Sequence, residues 1–311
     1  MSFAFVFPGQ GSQSVGMLSA LASDEPIVQA TFAEASAVLG YDLWQLAQVG
    51  PEGEQSATER TQPLMLAAGV ATWRVWRKHG GALPACMAGH SLGEYSALVC
   101  ADALEFATAI DLVRFRGQAM QSAVPAGQGA MAAVLGLEDA DVESACREAG
   151  DVGVVEAANF NSPAQVVIAG QKQAVEKAIE LVKAKGAKRA LILPVSVPSH
   201  TSLMKPAAVQ LAERLSATPI AKPVVSIYTV DSKVHVDAEG IRAALVQQLV
   251  GPVRWTDTVR AMLASGVMAV VECGPGKILT GLNRRIERNK DITMLAIENT
   301  ASLQEALQLN P

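Results

Sequence analysis

Little in this sequence points to a membrane, a disulfide scaffold, a metal centre or a nucleic acid. No apolar run reaches the ~18–20 residues that cross a bilayer, although mean hydropathy is positive at +0.24. The opening stretch, MSFAFVFPGQGS, has no basic leader and no small-residue cleavage site behind a long apolar run, so no signal peptide is expected. The four cysteines, Cys86, Cys100, Cys146 and Cys273, are widely spaced and form no CxxC pair. That disfavours zinc ligation and a disulfide framework, and reduced thiols in a cytoplasmic protein are the simplest expectation. Charged residues make up only 18% of the chain, and their formal sum of −5 argues against general nucleic-acid binding. Aromatics are scarce at 5%, and the abundant alanine suggests helices packed closely against a sheet. Histidine is scarcer still, with four in 311 residues, which leaves few candidates for a general base.

What is present is core-forming material. Half the residues are hydrophobic, and the length exceeds the usual single domain, so one large domain or a large one carrying an insert is expected. FAFVF (3–7) predicts a buried strand ending in the tight loop PGQGSQ. Helical spacing follows over 26–39 and 62–79, then ACMAGHSLGEYSALVCA reads strand, turn, helix. Another helix runs through FATAIDLVRFRGQAMQSAV to the break PAGQG. This alternation predicts an α/β domain with a hydrolase-like parallel sheet. The rhythm then changes. Over 127–197 the order is β-α-β-β-α-β, that of a ferredoxin-like (α+β) unit. Its second helix, QKQAVEKAIELVKAKG, places Ala174, Val175, Ala178, Ile179 and Val182 on one face, and RALILPVSV (189–197) reads as its last strand. Residues 1–125 and 198–311 are therefore expected to form the large domain, with 126–197 inserted. The larger pattern resumes with a helix near 202–216, a strand at 223–230, helices near 238–250 and 256–265, strands at 268–273 and 292–297, and a final helix.

The pentapeptide Gly89-His90-Ser91-Leu92-Gly93 falls on the strand-to-helix turn. In a G-x-S-x-G elbow the serine backbone is strained, its Oγ projects clear of the sheet, and the amides that follow face the space above it from a helix N-terminus. The plainer alternative is a polar helix cap in a Gly-rich turn; the strand-turn-helix context favours the nucleophile. A serine needs a base. His79 ends a helix beside two glycines, His90 lies inside the elbow, where packing is the simpler role, and His235 sits in a polar loop. His200, between a strand and a helix, is left as either the base or a structural histidine; loops at strand C-termini are where α/β catalytic groups gather. No acidic residue stands out to orient it, and a backbone carbonyl can serve instead. FPGQGSQ and GPGKIL lack the spacing of a nucleotide loop. A backbone N–H at Gln10 can help hold an oxyanion, unless its loop is simply a turn.

Taken together, FVFPGQGSQ, TQPLM, GHSLGEYSAL, the Arg116-Gly117 pair, NFNSPAQVVIAG, VSVPSH and ECGPGK, in this order over nearly the whole chain, resemble the malonyl-CoA:acyl carrier protein transacylases. The resemblance implies a hydrolase-like α/β fold with a ferredoxin-like insert. It makes Ser91 the nucleophile and His200 the base, with the backbone amides of Gln10 and Leu92 as the oxyanion hole. The main-chain carbonyl of Gln248 orients the histidine. Arg116 pairs with the malonyl carboxylate, and Gln62 lines the same pocket. The implied reaction is ping-pong: Ser91 takes malonate from malonyl-CoA and passes it to the phosphopantetheine thiol of acyl carrier protein, in fatty acid synthesis. No metal or redox cofactor is required, no nucleic acid or membrane partner is expected, and a monomer suffices.

Three rivals remain at this level. A serine thioesterase would deliver the acyl group to water, but favours a late histidine preceded by an acid. A polyketide-type acyltransferase for neutral or branched units is disfavoured by Arg116, unless that arginine is structural and pairs with Asp111 or Glu105 on its own helix. A catalytically dead carrier-binding module would not need Ser91, His200 and Arg116 together. Two basic runs, KAKGAKR (183–189) and RRIERNK (284–290), read singly as solvated helix faces. As a set with Lys277 they are candidates for docking an acidic partner.

Overall fold

The computed structural model describes residues 1–195 and 197–309. Among these, nine strands are present: β1 Phe3–Phe7, β2 Cys86–Gly89, β3 Gly129–Leu135, β4 Val155–Ser162, β5 Gln165–Gln171, β6 Arg189–Ile192, β7 Ser226–Tyr228, β8 Ala269–Cys273 and β9 Thr293–Ile297. They form a five-stranded parallel sheet in the order β7-β2-β1-β8-β9 and a four-stranded antiparallel sheet in the order β4-β5-β3-β6.

The central strand β1 explains the first sheet. All five of its residues are buried, as in a parallel sheet covered on both faces. Phe3, Phe5 and Phe7 face the helix Thr58–Lys78, where Trp73 and Trp76 meet the Phe5 ring edge-on at 5.5 and 5.0 Å. Ala4 and Val6 face the other layer, built on helices Trp255–Ala264 and Ile278–Ile286. Because β2 and β8 flank β1 on opposite sides, the loops after β1 and β2 meet at the C-terminal edge of the sheet, where open α/β sheets bind ligands.

The second sheet has the strand order of a ferredoxin-like unit. One face packs on helices Asp139–Glu148 and Lys172–Ala184, the latter burying the five residues expected from its periodicity. Met131, Ala158, Val167 and Ala169 make up the other face, with Leu193 and Val195 against them. The strand expected over 189–197 pairs only to Ile192: Leu193 still donates to the Met131 carbonyl at 2.9 Å, but Pro194 has no N–H to continue the ladder. Ser196, within that expected strand, lies outside the described residues. The strand expected over 223–230 is a three-residue edge strand, β7. Backbone bonds tie the two sheets' layers together: Phe160 N donates to Val253 O at 2.8 Å, and Val253 N to Ala158 O at 2.9 Å.

Candidate active site

At the end of β2 the chain turns sharply through His90 and Ser91 into the helix Gly93–Cys100. Ser91 holds φ at +52°, in the left-handed region. Backbone crowding dictates the two glycines: a Cβ on Gly89 would lie 1.9 Å from Glu94 N, and one on Gly93 would lie 2.0 Å from Phe7 O. The helix-cap alternative fails, since no side chain caps this helix. Ser91 Oγ lies instead 2.8 Å from His200 Nε2.

His200 is 4% exposed and also has positive φ, +63°. Its Nδ1 lies 2.7 Å from the carbonyl of Gln248. A carbonyl only accepts, so Nδ1 carries the proton and Nε2 is left to accept from the serine. That carbonyl belongs to the last turn of the helix Ala238–Val250, where main-chain oxygens lack intrahelical partners. The missing acid is thus replaced by a helix C-terminus, whose partial negative charge favours an imidazolium. Burial, and next the charge of Arg116, push the His200 pKa down to about 3, against the bond to Gln248.

Arg116 is 1% exposed, in the helix Phe106–Ala123. Nη1 donates to Gln62 Oε1 at 2.7 Å, Nη2 donates to Gln248 Oε1 at 2.8 Å, and Nη2 lies 3.5 Å from Ser91 Oγ. It has no carboxylate contact among the described residues. Asp111 instead pairs with Arg114 and Arg214, and Glu105 accepts from the amides of Ala107 and Thr108. The structural role considered for Arg116 is therefore not what the fold shows.

Ser91, His200, Arg116 and Gln62 line one cavity of about 390 Å³, roofed by Met131, Val167, Leu193 and Val195 of the second sheet's apolar face. Gln10 and Leu92 line it as well, and their backbone N–H groups donate to no atom of the described residues. Both stand at the C-terminal edge of the sheet, Leu92 at the start of a helix, so the cavity floor presents free donors. The described residues contain no cluster of three His, Cys, Asp or Glu side chains able to hold a metal.

Three features escaped sequence reasoning. The side chain of Gln248 joins the site as well as its carbonyl: Nε2 donates to Ser91 O at 3.0 Å and to Glu94 Oε2 at 2.8 Å. Glu94 itself is fully buried; burial raises its pKa to about 7, while Gln248 and the charge of Arg116 pull it back. The signal was a carboxylate inside the apolar run GEYSALVC. His90 does pack, on Trp255 at 5.5 Å, but it also lines the cavity and hydrogen-bonds Asn161 of β4 at 2.8 Å.

The sequence matches the acyl transferase domain family over residues 4–298. A malonyl CoA-acyl carrier protein transacylase of Salmonella typhimurium is 57% identical over 306 residues, 98% of each chain. That of Escherichia coli (strain K12) is 56% identical over 308 residues, 99% of each. Among solved structures, the transacylase of Coxiella burnetii superposes with a TM-score of 0.97 at 48% identity, covering 99% of this chain and 97% of that one. A malonyl-transacylase solved in complex with its holo type II PKS acyl-carrier protein also gives 0.97, at 54% identity over 100% of both chains.

Proposed function

The chain belongs to the malonyl CoA-acyl carrier protein transacylases of the acyl transferase family, and from that premise we propose how its residues divide the work. The enzyme transfers malonyl from malonyl-CoA to acyl carrier protein in fatty acid synthesis. Ser91 is the nucleophile. His200 takes its proton through Nε2, and the thioester carbonyl oxygen, becoming an oxyanion, accepts from the amides of Gln10 and Leu92. The imidazolium formed in that step rests against the C-terminal end of one helix, and the oxyanion at the N-terminal end of another. Coenzyme A leaves as its thiol with the proton from His200. In the second half-reaction His200 deprotonates the phosphopantetheine thiol, which attacks the malonyl ester and regenerates Ser91.

A single observation carries the choice of acyl group: a buried guanidinium, 3.5 Å from the nucleophile, without a carboxylate in contact among the described residues. A malonyl carboxylate beside the serine completes that pairing, and Gln62 and Gln248 hold the fork in place. Bound malonate also offsets the Arg116 charge that depresses His200, so the correct substrate strengthens its own base. A hydrolase does not need such a cation. The four cysteines, all free and buried, fit a cytoplasmic enzyme, and no described helix is long and apolar enough to cross a membrane. The inserted segment 126–197 supplies the cavity roof. Intact-protein mass spectrometry after mixing with malonyl-CoA tests the whole reading: one malonyl adduct that carrier protein discharges is expected, and no adduct, or one that water removes as fast, would sink it.

A further inference from the structure

Buried cations ordinarily sit against a carboxylate. Arg116 donates to amide oxygens and approaches the Ser91 hydroxyl, with the Tyr95 ring 5.5 Å from its guanidinium carbon, and touches no carboxylate among the described residues, although a fully buried one, Glu94, exerts its field on it. The Gln248 amide stands between them, with Oε1 2.8 Å from Arg116 Nη2 and Nε2 2.8 Å from Glu94 Oε2. Its orientation is forced. Turned over, it would set an NH₂ against a guanidinium and an oxygen against both a carboxylate and the Ser91 carbonyl. Each side of this bridge keeps an unmade bond: Arg116 Nε and Glu94 Oε1 are both buried without a hydrogen-bond partner among the described residues. A direct Arg116–Glu94 pair would satisfy them.

We propose that the Gln248 side chain is a spacer that keeps Arg116 off Glu94, so that the buried guanidinium has its charge balanced while its donors stay available to the carboxylate of an incoming acyl group. This rests on the reading of Arg116 as the malonyl partner. A closed Arg116–Glu94 pair would have to be broken by every substrate. Without Glu94, the guanidinium would be buried with no counter-charge whenever the site is empty. The spaced arrangement avoids both, and makes Glu94 and the Gln248 side chain positioning residues for acyl selectivity. The Gln248 main-chain carbonyl, which holds His200, is a separate matter.

The test compares acylation of Ser91 by malonyl-CoA and by acetyl-CoA at about pH 8, where Glu94 is predominantly ionised. Gln248→Ala keeps the main-chain carbonyl and lets the pair close. Its malonyl-over-acetyl ratio of kcat/KM is expected to fall about tenfold or more, mainly through KM for malonyl-CoA. Adding Glu94→Gln removes the competing carboxylate and is expected to restore the ratio about threefold or more, a coupling of opposite sign to simple damage. Should Gln248→Ala not fold, Glu94→Gln alone, which keeps the spacer but removes the counter-charge, is expected to lower KM for malonyl-CoA relative to acetyl-CoA; an unchanged or raised value would overturn the proposal. A parent that accepts no malonyl group overturns the reading of the site. If the parent is acylated but the double variant is no more selective than Gln248→Ala, the spacer alone is overturned.

Discussion

Ser91 and His200, 109 residues apart in sequence, meet at 2.8 Å, and each holds its backbone in the left-handed region at φ +52° and +63°. Neither is a glycine, so the surrounding structure imposes both conformations and fixes the direction of both side chains. Ser91→Ala should abolish the covalent malonyl-enzyme, since among the described residues no other cavity hydroxyl is hydrogen-bonded to His200 Nε2. His200→Ala should slow acylation by ~10² or more, the usual worth of a general base. Persistence of an adduct in Ser91→Ala, located by peptide mapping, would contradict the assignment.

Arg116→Ala should separate malonyl from acetyl. Burying the malonyl carboxylate without its partner costs about 3–5 kcal/mol, a ~10²-fold or greater loss in kcat/KM. Acetyl transfer should hold or rise. Arg116→Lys should rescue little, because an ammonium cannot reproduce the fork that now spans Gln62 and Gln248. Equal losses for both acyl groups in steady-state kinetics would assign the arginine to the fold.

Gly93→Val should leave the protein unfolded or inactive. Even a single Cβ there would stand 2.0 Å from the Phe7 carbonyl, at the C-terminal end of the central strand. Circular dichroism separates the two outcomes, and full activity would mean that Ser91 is not on a strained turn.

Acidity should destabilise the protein through His200. Its unfolded pKa is near 6.5 and its native one about 3. Between those values the unfolded chain binds a proton here and the native protein does not, so stability rises with pH across that window. At about pH 5 the parent should have lost roughly 2 kcal/mol from this group relative to about pH 8. His200→Ala lacks this contribution, so urea titrations of the two proteins should diverge by about that amount. Parallel pH profiles would show that the imidazole is not held neutral.

The second half-reaction should depend on the basic runs. Arg284 and Arg285 follow the GPGK loop, and Arg285 Nη1 donates to Gln165 of the second sheet at 2.6 Å, which puts this run at the junction between the two sheets. Lys188 is exposed, as is Arg189 at the start of β6, the strand leading to the cavity roof. If the carrier protein docks through acidic groups on this surface, reversal of Lys188, Arg189, Arg284 and Arg285 to glutamate should weaken transfer to it far more than self-acylation. The parent's transfer rate should fall as salt shortens the Debye length from ~30 to ~10 Å. Unchanged transfer at low salt in the reversed protein would place docking elsewhere.

The parts of this structure legible in the sequence are those enforced locally. Backbone crowding demands Gly89 and Gly93, and those glycines announce the elbow. Helical period alone selects the buried face of Lys172–Ala184. The candidate base could be narrowed to His200 only because histidine is scarce; its partner carbonyl has no sequence mark, since any residue at a helix end offers one. Glu94 and the Gln248 amide were invisible for a related reason. They act across 154 residues, and nothing near either position signals the other. Edge strand β7 and the early end of β6 depend on neighbours and on Pro194, and periodicity overshot both.

β1 leaves the ribosome long before one of its two sheet neighbours does. It ends at Phe7, whereas β8, which covers one of its edges, begins at Ala269. At about 5–20 residues per second, that leaves one side of an entirely apolar strand open for on the order of 13–50 s of synthesis. The nascent enzyme therefore carries a sticky, half-paired strand through most of its translation, making it a natural client for chaperones. Chains cut short before β8 should accumulate as aggregates rather than as partly active enzyme.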